Sequence, residues 1–232
     1  MRNYREFLRM LSREPGKPTL FEPYPSQHLV SQIIWRAGSG LWDDVESTVS
    51  TLISFYDNIG SDTVIVEADN NSIDRILAMG KELPSGLKFT ILSDDTGALA
   101  AADRHDSVCA LATKNPTVYA KDYTKPIIFI AGRDVILGIE NSIERGLAGV
   151  YITENIELLW KRYNDKIALL GGISDSIISS APARIYERIR AVHEMTNGRA
   201  CSIGTGLLGA DADYLGFISM LHMYNTLSED KK

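Results

Sequence analysis

The chain has 232 residues, 44% hydrophobic and 23% charged, with a formal net charge of −6. That composition fits a globular protein with a sizeable buried core. It disfavours general nucleic-acid binding, which needs a basic face to neutralise phosphates, and no apolar run approaches the ~20 residues of a membrane span. The charged, amphipathic start MRNYREFLRML is unlike a signal peptide. Cys109 and Cys201 each sit inside an apolar run and outside any CxxC pattern. They read as reduced, buried thiols, which predicts a cytoplasmic protein.

Taken in order, Asn3 followed by Glu6 predicts a capped helix with Tyr4, Phe7, Leu8 and Leu11 on one face, stopped at Pro15-Gly16. PTLFEP (18–23) is the first predicted strand. Ser26 can cap a helix through Ile34, and a second helical run covers 42–56 with Val45, Val49, Leu52 and Ile53 inward. DTVIVEAD (62–69) is the second strand, rich in β-branched residues as a strand buried on both faces should be. A helix over 72–83 follows, then LKFTILSDD, a short helix over 97–103, DSVCALAT (106–113), and PIIFIAG (126–132). A helix is predicted over 134–145, a strand at AGVYITE (148–154), and a helix over 156–163. KIALLGG, a helix over 182–196, ACSIGTG and a helix over 212–227 complete the pattern.

Eight apolar strands alternating with helices predict a parallel sheet. Eight such units in this length predict a compact (β/α)8 TIM barrel with an N-terminal helix. Residues 1–227 form one domain and 228–232 a disordered polar tail. An open doubly wound sheet is the alternative, but it needs five or six strands and leaves two unplaced.

In such a barrel the functional site lies at the C-terminal strand ends. There the sequence nominates Glu22, Glu67, Asp69, Asp94, Lys114, Arg133, Glu154, Gly172, Thr205 and Gly206. Glu67 and Asp69 follow a fully apolar strand two residues apart, which places both on one face as catalytic acid–base candidates. The others are ligand-binding candidates, with Arg133 or Lys114 as the partner of an anionic group. Asp94, Asp95, Asp134 and Asp175 stand just before helices, where a carboxylate caps free N–H groups. The glycine turns at 171–172 and 204–206 suit either phosphate binding at helix N-termini or tight turns alone. His28, His193 and His222 fall in helices and His105 precedes the fourth strand. No histidine reaches the predicted rim, which argues against a typical zinc site.

These residues carry a family resemblance. YREFLRMLSREPGKPTLFEP, HLVSQIIWRAGSGLWDDVE, DTVIVEAD, KIALLGGISDSII with SAPARIYERIRAV, and SIGTGLLGADADYLGF follow one another in the order expected of the uroporphyrinogen decarboxylase superfamily. Those (β/α)8 barrels include the decarboxylase and corrinoid-linked methyltransferases. Asp69 falls where the resemblance places a pyrrole-binding aspartate. The departures are several. EPYPSQ lacks the arginines that follow strand one in the decarboxylases, and Arg36 in WRAGSG falls after the next helix. Thr205 replaces the histidine of a Gly-His-Gly. Phe129 and Ala131 stand where the methyltransferases carry a His-x-Cys zinc pair, and Cys201 alone makes no zinc site. The chain is also shorter than typical members.

The resemblance implies a barrel that holds a small anionic or tetrapyrrole-related ligand, with changed or lost decarboxylase activity. If active, it is a carboxy-lyase or a methyltransferase. No cofactor is required by the residues; a corrinoid or tetrapyrrole, a homodimer and a corrinoid protein partner are what the resemblance allows. A phosphate-binding barrel enzyme and a non-enzymatic scaffold that kept the fold are the other readings, since fold alone does not decide among them.

Overall fold

The computed structural model describes residues 3–14, 19–23, 25–35, 40–131, 135–152, 155–196, 201–203 and 214–229. Each predicted apolar run forms a strand: β1 (Thr19–Leu20), β2 (Val64–Glu67), β3 (Phe89–Leu92), β4 (Val108–Thr113), β5 (Ile127–Ile130), β6 (Gly149–Ile152), β7 (Ala168–Gly171) and β8 (Cys201–Ile203). Between them lie α1 (Tyr4–Leu11), α2 (Gln27–Ile33), α3 (Val45–Ile59), α4 (Ile73–Ala78), α5 (Thr96–Asp103), α6 (Val135–Glu144), α7 (Ile156–Tyr163), α8 (Asp175–Ile178), α9 (Pro182–Thr196) and α10 (Tyr214–Glu229).

Local chemistry sets these bounds. Asn3 accepts from Arg5 N, and Ser26 accepts from Leu29 N at 3.2 Å. Asp44 and Ser47 cap α3 reciprocally, and Gly60 ends it with φ +79°. One predicted helix is cut. The run expected over 72–83 stops at Ala78 and tightens into a 3-10 turn over Met79–Glu82. The helix expected over 182–196 forms with those bounds as α9, with Pro182 at its first position, where its fixed φ suits a helix start, and the short α8 precedes it.

All strand pairings are parallel, and the order is β1-β8-β7-β6-β5-β4-β3-β2. Ser61, just before β2, donates from Oγ to Leu20 O of β1 at 3.3 Å, although β1 and β2 stand at opposite ends of that order. The two sheet faces follow from packing. A Cβ on Gly138 of α6 would lie 2.9 Å from Phe129, so Phe129 faces the helices. Side chains alternate along a strand, so Ile128 and its row partners Glu67, Leu92, Ala112, Gly149 and Ala168 point to the other, inner face.

α1 covers the N-terminal end of that inner face. Tyr4 N donates to Gly86 O before β3, Arg13 donates to Asp165 O before β7, and a Cβ on Gly149 would meet Leu11 at 3.1 Å. Phe7 stacks on Phe21 with ring centroids 5.7 Å apart, and Phe21 lies 5.6 Å from Tyr151. Cys109 is buried and free, as its apolar run predicts. The side chain of Cys201 lies outside the described residues. Asp103, at the end of α5, is 9% exposed and ties down the loop before β5. It accepts from Thr124 N at 2.9 Å, Lys125 N at 2.8 Å and Thr124 Oγ1 at 3.1 Å. Among the described residues no helix is long and apolar enough to cross a membrane.

Candidate functional site

The C-terminal ends of β2, β3 and β4 bring three nominated residues together. Glu67 is the last residue of β2, and on the inner face its row runs next through Leu92 of β3 and Ala112 of β4. Asp94 and Lys114 lie two residues beyond those, one step further up. Lys114 Nζ stands 3.8 Å from Glu67 Oε1, with the Glu67 side chain 70% and that of Lys114 44% exposed. Asp94 Oδ1 accepts from Lys114 N at 2.8 Å and from Thr113 Oγ1 at 3.2 Å. Asp94 therefore fixes the backbone that carries Lys114, while the ammonium and the Glu67 carboxylate reach solvent. The result is a loose, exposed ion pair on an anchored loop.

Asp69 does not join this pair. β2 ends at Glu67, and Asp69 sits in the turn that leads into α4. Its Oδ1 accepts from Ser72 N at 2.8 Å, Ser72 Oγ at 2.6 Å and Asn71 N at 3.1 Å. The Ser72 bonds, hydroxyl first, hold its carboxyl below the ordinary aspartate value. The turn takes up this carboxylate. Asp69→Ala is expected to lower the thermal midpoint by about 2–4 °C, the scale of a lost cap in a domain of this size. Scanning calorimetry beside a ligand titration checks this: the midpoint falls and the affinity does not.

The capping expected of Asp94 and Asp95 is corrected. Asp95 stands at the N-cap of α5 but makes no side-chain cap bond. Its Oδ2 accepts instead from Asn70 N at 3.2 Å. Asp94 and Asp95 thus cross-link neighbouring strand-end loops, with partners 20 and 25 residues away that no local pattern reveals.

Glu22 is fully buried, and its carbonyl accepts from the Tyr56 hydroxyl at 2.5 Å. Burial, and then the neighbouring Glu22 charge, push the Tyr56 hydroxyl well above its ordinary value. Gly172 has φ +88°; its N–H donates to Ile152 O at 2.8 Å, and its carbonyl accepts from Arg188 Nη2 at 3.0 Å. Both backbone groups of Gly172 are thus bonded within the protein, as a tight turn requires. Arg133, Glu154, Thr205 and Gly206 lie outside the described residues, as does Asp134, and of Asp175 only the backbone is described.

Phe129 and Ala131 offer no ligand atoms where the family resemblance would put a zinc pair, so those residues do not fit that metal. Among the described residues no three His, Cys, Asp or Glu side chains come together to hold a metal ion. His28, His193 and His222 lie on α2, α9 and α10. His105 precedes β4, where its Nδ1 lies 2.8 Å from Ser107 Oγ. Among the described residues, the group at the ends of β2, β3 and β4 offers one cation, Lys114, and two carboxylates, Glu67 and Asp94. A scan against protein-family models finds no match, and neither does a search of the curated proteins.

Proposed function

We propose that this chain is a shortened, divergent (β/α)8 barrel of the uroporphyrinogen decarboxylase kind that binds a small anionic ligand at its C-terminal strand ends, with a changed or lost decarboxylase reaction. Support for closure is the contact from Ser61 Oγ to Leu20 O at 3.3 Å. Seven strand spacings of roughly 4.8 Å would hold the outer strands of a flat sheet about 34 Å apart.

The observation that carries the ligand reading is the Glu67–Lys114 pair at 3.8 Å on the inner face. An exposed ion pair is worth at most about 1 kcal/mol, so an incoming carboxylate or phosphate can take Glu67's place beside Lys114 at little cost. Asp94 keeps Lys114 in position while the partners exchange. In a lyase reaction, the electron pair of the broken C–C bond stays on the substrate carbon as CO2 leaves. Lys114 then offsets the developing negative charge, and Glu67 is the carboxyl that exchanges the proton.

A thermal-shift panel of succinate, inorganic phosphate, coproporphyrin and cobalamin tests this. A ligand at ~100 times its dissociation constant adds about 2.7 kcal/mol, or roughly 5–10 °C for a domain of this size. The expected result is a shift with at least one anion that is lost in Lys114→Ala and kept in Asp69→Ala. A panel without any shift, or a shift that survives Lys114→Ala, contradicts the reading.

A further inference from the structure

α9 and α10 pack side by side and leave a groove of about 740 Å³ between them. Pro182, Ala183 and Tyr186 of α9 line one wall, and Ile218 and Met223 of α10 line the other. Met223 is buried, whereas Tyr186 and Ile218 stay 42% and 38% exposed. The volume lies within the roughly 300–1,000 Å³ of small-molecule sites, which are mostly apolar with a few polar groups. Those polar groups decide what the groove accepts. Ser219 Oγ donates within its own helix, to Leu215 O at 2.8 Å. Arg190 Nε donates to Glu194 Oε1 at 2.7 Å, so its charge is already met. Arg188, the neighbouring cation on α9, is taken by Glu157 and by Gly172 O. Glu187 differs. It lines the groove, its side chain is exposed, and among the described residues no cation stands within ion-pair distance of it. The groove therefore carries one uncompensated negative charge, with the His222 imidazole also on its wall.

We propose that the α9–α10 groove is a binding site for a small amphipathic amine, an aliphatic body that carries a primary ammonium head. The body covers Pro182, Ala183, Ile218 and Met223 and removes their apolar surface from water. The ammonium donates to the Glu187 carboxylate, a charge-assisted bond. The Tyr186 ring beside Glu187 adds its own attraction for a cation over its face. Charge complementarity selects this head over the others. A carboxylate head meets the negative charge of Glu187 and has to displace Glu194 from Arg190. An alcohol head fills the same apolar space but leaves Glu187 without a counter-charge. The assignment is independent of any ligand at Lys114.

Calorimetric titration with n-octylammonium and octan-1-ol at neutral pH tests this. Wild type is expected to bind octylammonium at a single site and octanol about 5-fold more weakly, the scale of an exposed ion pair. Glu187→Gln is expected to bring octylammonium down to the affinity of octanol. Glu187→Lys is expected to abolish octylammonium binding and keep octanol, which a merely unfolded variant cannot do. Ala183→Trp fills the groove and removes both ligands, while circular dichroism confirms that it is folded. A wild type that binds no octylammonium at ~1 mM overturns the proposal. Equal affinities for the two ligands in wild type, or octylammonium binding that survives Glu187→Lys, overturn it as well. Octanoate is titrated into Lys114→Ala, which lacks the strand-end cation; tighter binding than that of octylammonium assigns the groove to an anionic amphiphile and contradicts the proposal. So does a dimer in sedimentation velocity that Ala183→Trp disrupts, which assigns the groove to a second copy.

Discussion

Gly171→Ala is expected to destabilise the fold by about 3–5 kcal/mol, among the larger effects a single substitution produces. Gly171 ends β7 with φ +93°, a region that side chains rarely enter. A Cβ there would lie 2.1 Å from Ile152 O. That carbonyl belongs to the neighbouring strand β6 and already accepts from Gly172 N at 2.8 Å. The clash is with backbone, so no rotamer change relieves it; β6 and β7 must separate where they are paired. Gly60→Ala is the control. Gly60 also has positive φ, +79°, but its added Cβ would find its nearest neighbour, Asn225 Oδ1, at 4.0 Å. Only the conformational cost of about 1 kcal/mol applies there. Urea denaturation of both variants measures the difference, and equal losses in the two would contradict this account.

Asp103→Ala is expected to cost about 3 kcal/mol. The substitution leaves the backbone N–H groups of Thr124 and Lys125 without their acceptor in a largely buried site, and each such loss costs about 1–3 kcal/mol. The same carboxylate predicts an acid dependence. Burial is the largest single influence on Asp103 and pushes its pKa up, but the bonds from Thr124 N, Lys125 N and the Thr124 hydroxyl outweigh it, so the folded value lies below the ordinary one. A depressed folded pKa gives stability that is fully present above the unfolded value, roughly pH 4. That stability is lost as pH falls through the folded value. Denaturation midpoints between pH 6 and pH 2 should therefore fall less steeply in Asp103→Asn than in wild type. Parallel profiles would remove Asp103 as the source.

The two residues differ in how far the sequence alone exposes them. Gly171 lies in the KIALLGG run whose apolar stretch breaks at two glycines, so the end of a buried parallel strand is written in local pattern. The other seven strands show as apolar runs in the same way, though not always with their ends, and so do the caps at Asn3 and Ser26, because each depends on neighbours within a few residues. Asp103 gives no such sign. It ends a helix, and its partners lie 21 and 22 residues away in a loop that only the fold brings near. Asp94 and Asp95 show the same limit. Their position before a helix suggests capping, yet their bonds run sideways to Lys114 and Asn70 on adjacent loops. The spacing of Glu67 and Asp69 suggests one shared face, but the strand ends at Glu67 and the Ser72 turn takes Asp69. Lys114 acquires a partner only through the register of β2, β3 and β4. Charge and spacing along the chain nominate the residues of the rim; register across the sheet decides which of them meet.

The ligand site at Lys114 is tested most directly by calorimetric titration of wild type, Lys114→Ala and Asp69→Ala with the strongest binder among succinate, phosphate, coproporphyrin and cobalamin. Removing the cation that pairs with a bound anion costs about 1.5–3 kcal/mol, so Lys114→Ala should bind about 10- to 100-fold more weakly. Asp69→Ala should bind as wild type does. Equal affinity in wild type and Lys114→Ala, or a loss in Asp69→Ala alone, would contradict the assignment of the site to the Glu67–Lys114 pair.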